Sequence, residues 1–126
     1  MKKAILYGTF DLLHFGHIEA IKYCKSICDY LIVAVSTDEF NKEKKKTSKI
    51  PYWQRRELVE ALADVDKVIP EFSWEQKITD VDKYKLDIVF ISEDFFDETE
   101  AVLGDSVEIK CIPRTPEISS TQLKKK

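Results

Sequence analysis

The chain has 126 residues, 44% of them hydrophobic, which is enough apolar material for one core and only about one domain. Its 20 Lys and Arg against 23 Asp and Glu leave a formal charge of -3, which argues against a general nucleic-acid binder, whose charge would be basic overall. Cys24, Cys28 and Cys111 are odd in number and lack Cys-x-x-Cys spacing, so neither a disulfide framework nor a zinc site is indicated and no metal ligands are expected from the chain.

Met1-Lys2-Lys3 is positive, but the apolar run after it ends within a few residues at Gly8, too short for a signal-peptide core. A cytoplasmic protein without a membrane partner is expected. Ile5 to Tyr7 reads as a buried strand, and Gly8 lets the backbone turn close to a ligand. Ile18, Ile21, Cys24 and Cys28 then recur at helical spacing, predicting a helix over His17 to Cys28. Further strands are expected at Tyr30 to Ser36, Lys67 to Ile69, Asp87 to Ser92 and Val107 to Ile112. Helices are expected at Tyr52 to Ala63 and Glu75 to Tyr84, with a last helical turn from Ser119. Strands alternating with helices predict an α/β fold, a single-domain Rossmann-like doubly wound parallel sheet of five strands flanked by helices over 1–126. Ligands of such sheets bind beyond the carboxyl ends of the strands, which would bring Asp38 and Asp94 to the edge where the first strand exits.

That exit loop carries the chain's two histidines, His14 and His17, separated by Phe15-Gly16. Two imidazoles at a strand-to-helix junction can donate to a phosphate at which the helix N–H groups and the positive helix end also point. Gly16 adds no side chain to the space between them. Donors placed there stabilise the charge that builds on equatorial oxygens during displacement at a nucleotide's α-phosphorus. Thr9 and Asp11 border the loop, Asp11 being suited to cap a turn or to orient an imidazole or a Mg²⁺-bound water. Lys42, Lys44, Lys45, Lys46 and Lys49 form a basic run, read either as a solvated loop or as cations that close over anionic substrates. Arg114-Thr115 followed by Ser119-Ser120-Thr121 combines a guanidinium fork, hydroxyl donors and the free N–H groups of a new helix. Trp74 is read as a core or dimer-packing residue.

Gly8-Thr9-Phe10-Asp11-Leu12-Leu13-His14-Phe15-Gly16-His17 resembles the signature of the HxGH nucleotidyltransferases. The likeness to the bacterial glycerol-3-phosphate cytidylyltransferases is closer. It extends to Ser36-Thr37-Asp38-Glu39-Phe40-Asn41, the loop 42–46, Val65-Asp66 with Val68-Ile69-Pro70, Trp74-Glu75-Gln76-Lys77, and Pro113-Arg114-Thr115 with Ile118-Ser119-Ser120-Thr121. The resemblance implies transfer of CMP from CTP to sn-glycerol 3-phosphate, with pyrophosphate released and CDP-glycerol made for a teichoic-acid or capsule-type polymer. It implies His14, His17, Lys44 and Lys46 as catalytic residues. Thr9, Phe10, Asp11, His14, His17, Asp94, Arg114, Thr115, Ile118, Ser119 and Ser120 would hold the nucleotide, and Lys44, Lys46, Arg55 and Asp38 the acceptor. Mg²⁺ would come with the nucleotide, and the enzyme would be a homodimer.

The chain departs from the family pattern at Ser92 and Glu117, which replace glycines, at Phe95-Phe96-Asp97, which replace a Trp-Gly segment, and at Ala63, where an arginine is usual. These departures bear on the base pocket and the acceptor. They leave open a phosphoethanolamine or phosphocholine cytidylyltransferase, an adenylyltransferase, and a non-catalytic nucleotide-binding module of the same fold.

Overall fold

A computed structural model describes residues 1–44 and 48–112. The order is β1 (Lys3–Gly8), α1 (Phe15–Ser26), β2 (Tyr30–Ser36), α2 (Asp38–Glu43), α3 (Tyr52–Glu60), β3 (Lys67–Glu71), α4 (Gln76–Lys83), β4 (Ile88–Ile91), a 3₁₀ turn (Glu93–Phe95), α5 (Phe96–Leu103) and β5 (Glu108–Cys111). The five strands form one sheet in the order β3-β2-β1-β4-β5, every neighbouring pair parallel. The expected fold class is therefore the observed one. Two helices are additions to the expected set. Thr37 caps α2 through its hydroxyl, and Asp38 and Glu39 follow in the first turn, where negative charge is favoured. Helix α5 begins with Asp97 and Glu98 in its first turn and ends at Gly104, at φ 56°. The last turn expected from Ser119 lies outside the described residues.

Strand residues alternate between two cores because successive side chains point to opposite faces. Ala4, Leu6, Leu31, Val33, Val35, Ile88 and Phe90 pack with Ile21 and Cys24 of α1 and Val59 of α3. Ile5, Tyr7, Ile32, Ala34, Ile69, Val89 and Ile91 face the other way, against Leu86 and Leu103. Helices cover both faces, as an all-parallel sheet requires. The chain moves outward in one direction from β1 to β2 and β3, then crosses back to β4, so the switch in strand order lies between β1 and β4.

The turn leaving β1 is tight. A Cβ on Gly8 would stand 2.8 Å from Cε2 and 2.9 Å from Cζ of Phe10. Phe10 is buried and held at φ 56°, and Leu12 at φ 52°, a left-handed conformation that is costly for residues with side chains. Because the Phe10 ring belongs to the core around α1, it has no free direction in which to yield. Gly8→Ala is expected to cost about 1–3 kcal/mol through overpacking. A melting temperature equal to that of the parent protein would show that the ring moves freely.

Candidate active site

A pocket of about 400 Å³ opens at the carboxyl ends of the strands, over the switch between β1 and β4. Gly8, Thr9, Phe10, Asp11 and His17 line it from the β1 side, Ile91, Ser92, Asp94 and Phe95 from the β4 side, and Lys44, Glu71 and Trp74 close one end. The structure thus brings Thr9, Phe10, Asp11, His17, Lys44 and Asp94 of the expected site together. His14 is not on the pocket lining but directly behind His17, the two rings 4.1 Å apart.

The histidines form the amino cap of α1 reciprocally. Nδ1 of His14 accepts the Gly16 N–H at 2.9 Å, and Nδ1 of His17 accepts the His14 N–H at 3.2 Å. Side chains thereby satisfy orphan donors of the first turn, as in a capping box built with imidazoles. Each cap fixes a tautomer. A ring nitrogen that accepts a backbone N–H carries no proton, so in the neutral ring the proton sits on Nε2. Nε2 of His14 is buried without a hydrogen-bond partner among the described residues. Burial also holds the His14 pKa below its ordinary 6.5, which keeps the ring a neutral donor near neutrality.

The β1–α1 loop is fastened from below by Arg55, whose side chain is fully buried. Its Nη1 donates to the Thr9 carbonyl at 2.8 Å and the Ser36 carbonyl at 2.7 Å, its Nε to the Ile50 carbonyl at 2.8 Å, and its Nη2 to Asp38 Oδ1 at 2.7 Å. Asp38 also accepts the Tyr52 N–H. Arg55 and Asp38, expected at the acceptor, bind one another, Arg55 also holding the loop carbonyls, and neither is among the residues lining this pocket. Asp11, 3% exposed, accepts the Lys49 and Ile50 N–H groups, so its carboxylate anchors the segment before α3 as well as forming pocket wall.

Lys44 is not a solvated-loop lysine. Its side chain is 3% exposed, and its ammonium donates to Ser36 Oγ and Thr9 Oγ1 and stands 3.6 Å from Glu71 Oε1. The rings of Phe40 and Phe95 lie 5.2 Å from it. Glu71 and Lys77 complete a buried charge cluster that sequence reading assigned no role. Lys77 Nζ pairs with Glu71 Oε2 at 2.9 Å and sits 4.3 Å from the Tyr7 ring centre and 4.9 Å from that of Trp74. Tyr7 donates to Asp80 Oδ2 at 2.8 Å; burial first, then the Asp80 charge, pushes its pKa upward. Burial likewise raises the Asp80 carboxyl, against the opposing Tyr7 hydrogen bond. Trp74 is half-buried, packed on Phe40 and Phe95, and is a pocket residue as well as a packing one. The sequence signal for this cluster was faint: a lysine four residues before Val81 on a short helix, and an acidic residue directly after Pro70 at the end of a short strand.

Lys46, Arg114, Thr115, Ile118, Ser119 and Ser120 lie outside the described residues. Among the described residues no group of three His, Cys, Asp or Glu side chains is placed to hold a metal ion, and no helix is long and apolar enough to cross a membrane.

The family model described as cytidylyltransferase-like matches residues 5–126. The glycerol-3-phosphate cytidylyltransferase of Bacillus spizizenii is 46% identical over 125 residues, covering 99% of this chain and 96% of that protein. The Staphylococcus aureus glycerol-3-phosphate cytidylyltransferase is 46% identical over 124 residues, covering 98% of this chain and 93% of its own. Among solved structures, the lipopolysaccharide core biosynthesis protein of Thermoplasma volcanium superposes with a TM-score of 0.79 at 30% identity, over 91% of this chain and 98% of that one.

Two expectations follow from the site geometry. Arg55→Met leaves the Thr9, Ser36 and Ile50 carbonyls without their donor, at about 1–3 kcal/mol for each buried group, whereas Arg56→Ala removes an exposed pair with Glu60 and should stay within about 0.5 kcal/mol. Denaturant titration of the two variants gives the comparison, and similar midpoints would mean that Arg55 does not fasten the loop. The second concerns pH. The unfolded chain protonates His14 before the folded one does, so its contribution to stability is present above 6.5 and lost as pH falls through 6.5 towards the lowered folded value. His14→Asn keeps a capping side chain but does not titrate. Its melting temperature should decline less steeply than the parent's from about pH 7 to pH 5, and parallel curves would contradict the assignment.

Proposed function

The chain belongs to the cytidylyltransferase-like family, and from that membership we propose that it transfers CMP from CTP to sn-glycerol 3-phosphate, with CDP-glycerol and pyrophosphate as products. The observation that carries the reading is the pairing of the imidazole-capped helix with the pocket at the β1–β4 switch, where His17 and Lys44 present donors to one space. A phosphomonoester oxygen of the acceptor attacks the α-phosphorus in line; the bond to the β-phosphate bridging oxygen breaks, and that oxygen leaves with pyrophosphate. The Nε2–H of His17 is available for the charge gathering on the phosphorus and the leaving group, and His14 supports His17 from behind. Lys44 offsets the repulsion between the two anionic substrates. Asp94 lines the β4 side of the pocket, and the resemblance gives its carboxylate the amino group of a cytosine ring to accept from.

Lys46 and the segment from Arg114 to Ser120 are assigned to the triphosphate by the same family resemblance. Mg²⁺ is assigned to the nucleotide rather than to the chain. The described pocket offers imidazole and ammonium donors, and the Asp11 carboxylate already accepts two backbone N–H groups. That set fits an anion that brings its own cation, and Mg²⁺ bound to it neutralises part of the triphosphate charge. From the family resemblance we also propose a cytoplasmic homodimer that delivers CDP-glycerol to a glycerol-phosphate polymer such as teichoic acid. Identities of 46% to glycerol-3-phosphate enzymes favour this acceptor over phosphoethanolamine and phosphocholine, and favour CTP over ATP.

Pyrophosphate release measured with CTP and with ATP, each against sn-glycerol 3-phosphate, phosphoethanolamine and phosphocholine, is the direct test. Turnover should be fastest with CTP and sn-glycerol 3-phosphate. His17→Ala should reduce it by about two to three orders of magnitude with a much smaller change in the Michaelis constant for CTP. Equal rates across acceptors would remove the glycerol assignment, and near-normal turnover in folded His17→Ala would remove the role of the imidazole.

A further inference from the structure

Glu71 ends β3 opposite Ser36 of β2, and its side chain is 2% exposed. Burying a carboxylate and two ammonium groups side by side is expensive, and apolar residues of similar volume commonly give equal or greater stability. Three such groups gathered at the closed end of a substrate pocket therefore point to use rather than to folding. The division of contacts is specific. Oε2 takes the Lys77 ammonium, and Oε1 takes the Ser36 hydroxyl at 2.9 Å and faces Lys44. One carboxylate thus stands between two like charges on different elements, Lys44 at the end of α2 and Lys77 on α4.

We propose that Glu71 is a positioning residue for substrate phosphate: pinned from behind by Lys77 and by the Ser36 hydroxyl, its carboxylate holds the Lys44 ammonium at the end of the pocket that Glu71 and Lys44 both line. This rests on the phosphoryl-transfer reading above and adds a residue to it. Without the carboxylate, two buried cations repel each other and Lys44 loses the anchor that holds it at the pocket. The other charged or titratable groups against the cluster are Tyr7 and Asp80, which hydrogen-bond to each other, so Asp80 is a partial substitute at most. Tyr7 and Trp74 add ring faces that stabilise the Lys77 ammonium without competing as anions.

Glu71→Gln keeps the shape and a hydrogen-bonding oxygen while removing the charge. The Michaelis constant for sn-glycerol 3-phosphate should rise about tenfold or more, with kcat and the Michaelis constant for CTP changing several-fold less. Calorimetric titration with inorganic phosphate, which needs no turnover, should show a matching loss of affinity. Unchanged or tighter phosphate binding in the variant would overturn the proposal, because Glu71 would then be a competitor of the phosphate rather than a support for Lys44. Equal losses for both substrates together with a lowered melting temperature would also overturn it, in favour of a purely structural role. If Glu71→Gln does not fold, the charge-balanced Glu71→Gln/Lys77→Gln pair takes its place; weakened phosphate binding is expected, and parental affinity would overturn the proposal. Absence of CDP-glycerol from the parent protein defeats the acceptor reading alone, since the phosphate titration still decides the role of Glu71.

Discussion

The guanidinium of Arg55 joins stretches of chain that the sheet would otherwise leave separate. Strands β1 and β2 end beside one another, β1 one residue before Thr9 and β2 at Ser36, and their exits bring the Thr9 and Ser36 carbonyls together. Thr9 and Ser36 both give those carbonyls to the same Nη1, and Ile50 gives its own to Nε. A planar fork with fixed donor directions can satisfy several acceptors at once, which a lysine ammonium at the end of a flexible stem does less well. The cost of burying the charge is offset by carbonyl dipoles and by Asp38, whose side chain remains 48% exposed and well solvated. With the loop after β1 fixed in this way, Phe10 and Leu12 can be held at positive φ and the helix cap that follows has a defined starting point.

From that starting point the chemistry of the pocket is largely decided by which nitrogen of each histidine the backbone occupies. Both Nδ1 atoms accept backbone N–H groups of the helix cap, so the proton of each neutral ring lies on Nε2. Folding and function draw on opposite sides of the same rings. A helix capped by Ser or Asp would be equally well formed, but it would offer an approaching phosphate no imidazole donor. At the other end of the pocket the same economy operates with charge: Lys44 closes α2, bonds the end of β2 and faces the substrate space.

The fold was legible because unbroken apolar runs in the strands and a period near four in α1 are local properties. The pocket's place at the β1–β4 switch followed from the parallel order alone. The resemblance gave Arg55 as an acceptor contact, and its hold on the loop was hidden because only the convergence of carbonyls from positions 9, 36 and 50 distinguishes it from Arg56. Lys44 stands in a run of lysines for the same reason. Its burial depends on Glu71 and on the rings of Phe40 and Phe95, contacts that no window of sequence around it contains. Helix α2 was hidden because Thr37-Asp38-Glu39 was read for chemistry, although a hydroxyl followed by two acids is also a helix start.

The departures from the family pattern separate once they are placed on the sheet. Ala63 lies between α3 and β3, next to Asp66, whose N–H donates to the Leu31 carbonyl and whose carboxylate accepts the Leu31 N–H. Leu31 is near the start of β2, so this segment sits at the amino ends of the strands, with the length of the sheet between it and the pocket. An arginine at position 63 would not reach the pocket of its own chain, and its absence leaves the local supply of cations for the acceptor, Lys44 and the cluster around Glu71, unchanged. Ser92 is different, because it lines the pocket where β4 gives way to the 3₁₀ turn carrying Asp94. A hydroxymethyl group there, at φ -70°, occupies ordinary extended backbone and adds both bulk and a donor beside the carboxylate. Glu117 lies outside the described residues, so the departures that can be placed include Ala63, with the sheet between it and the pocket, and Ser92, on the pocket's β4 wall.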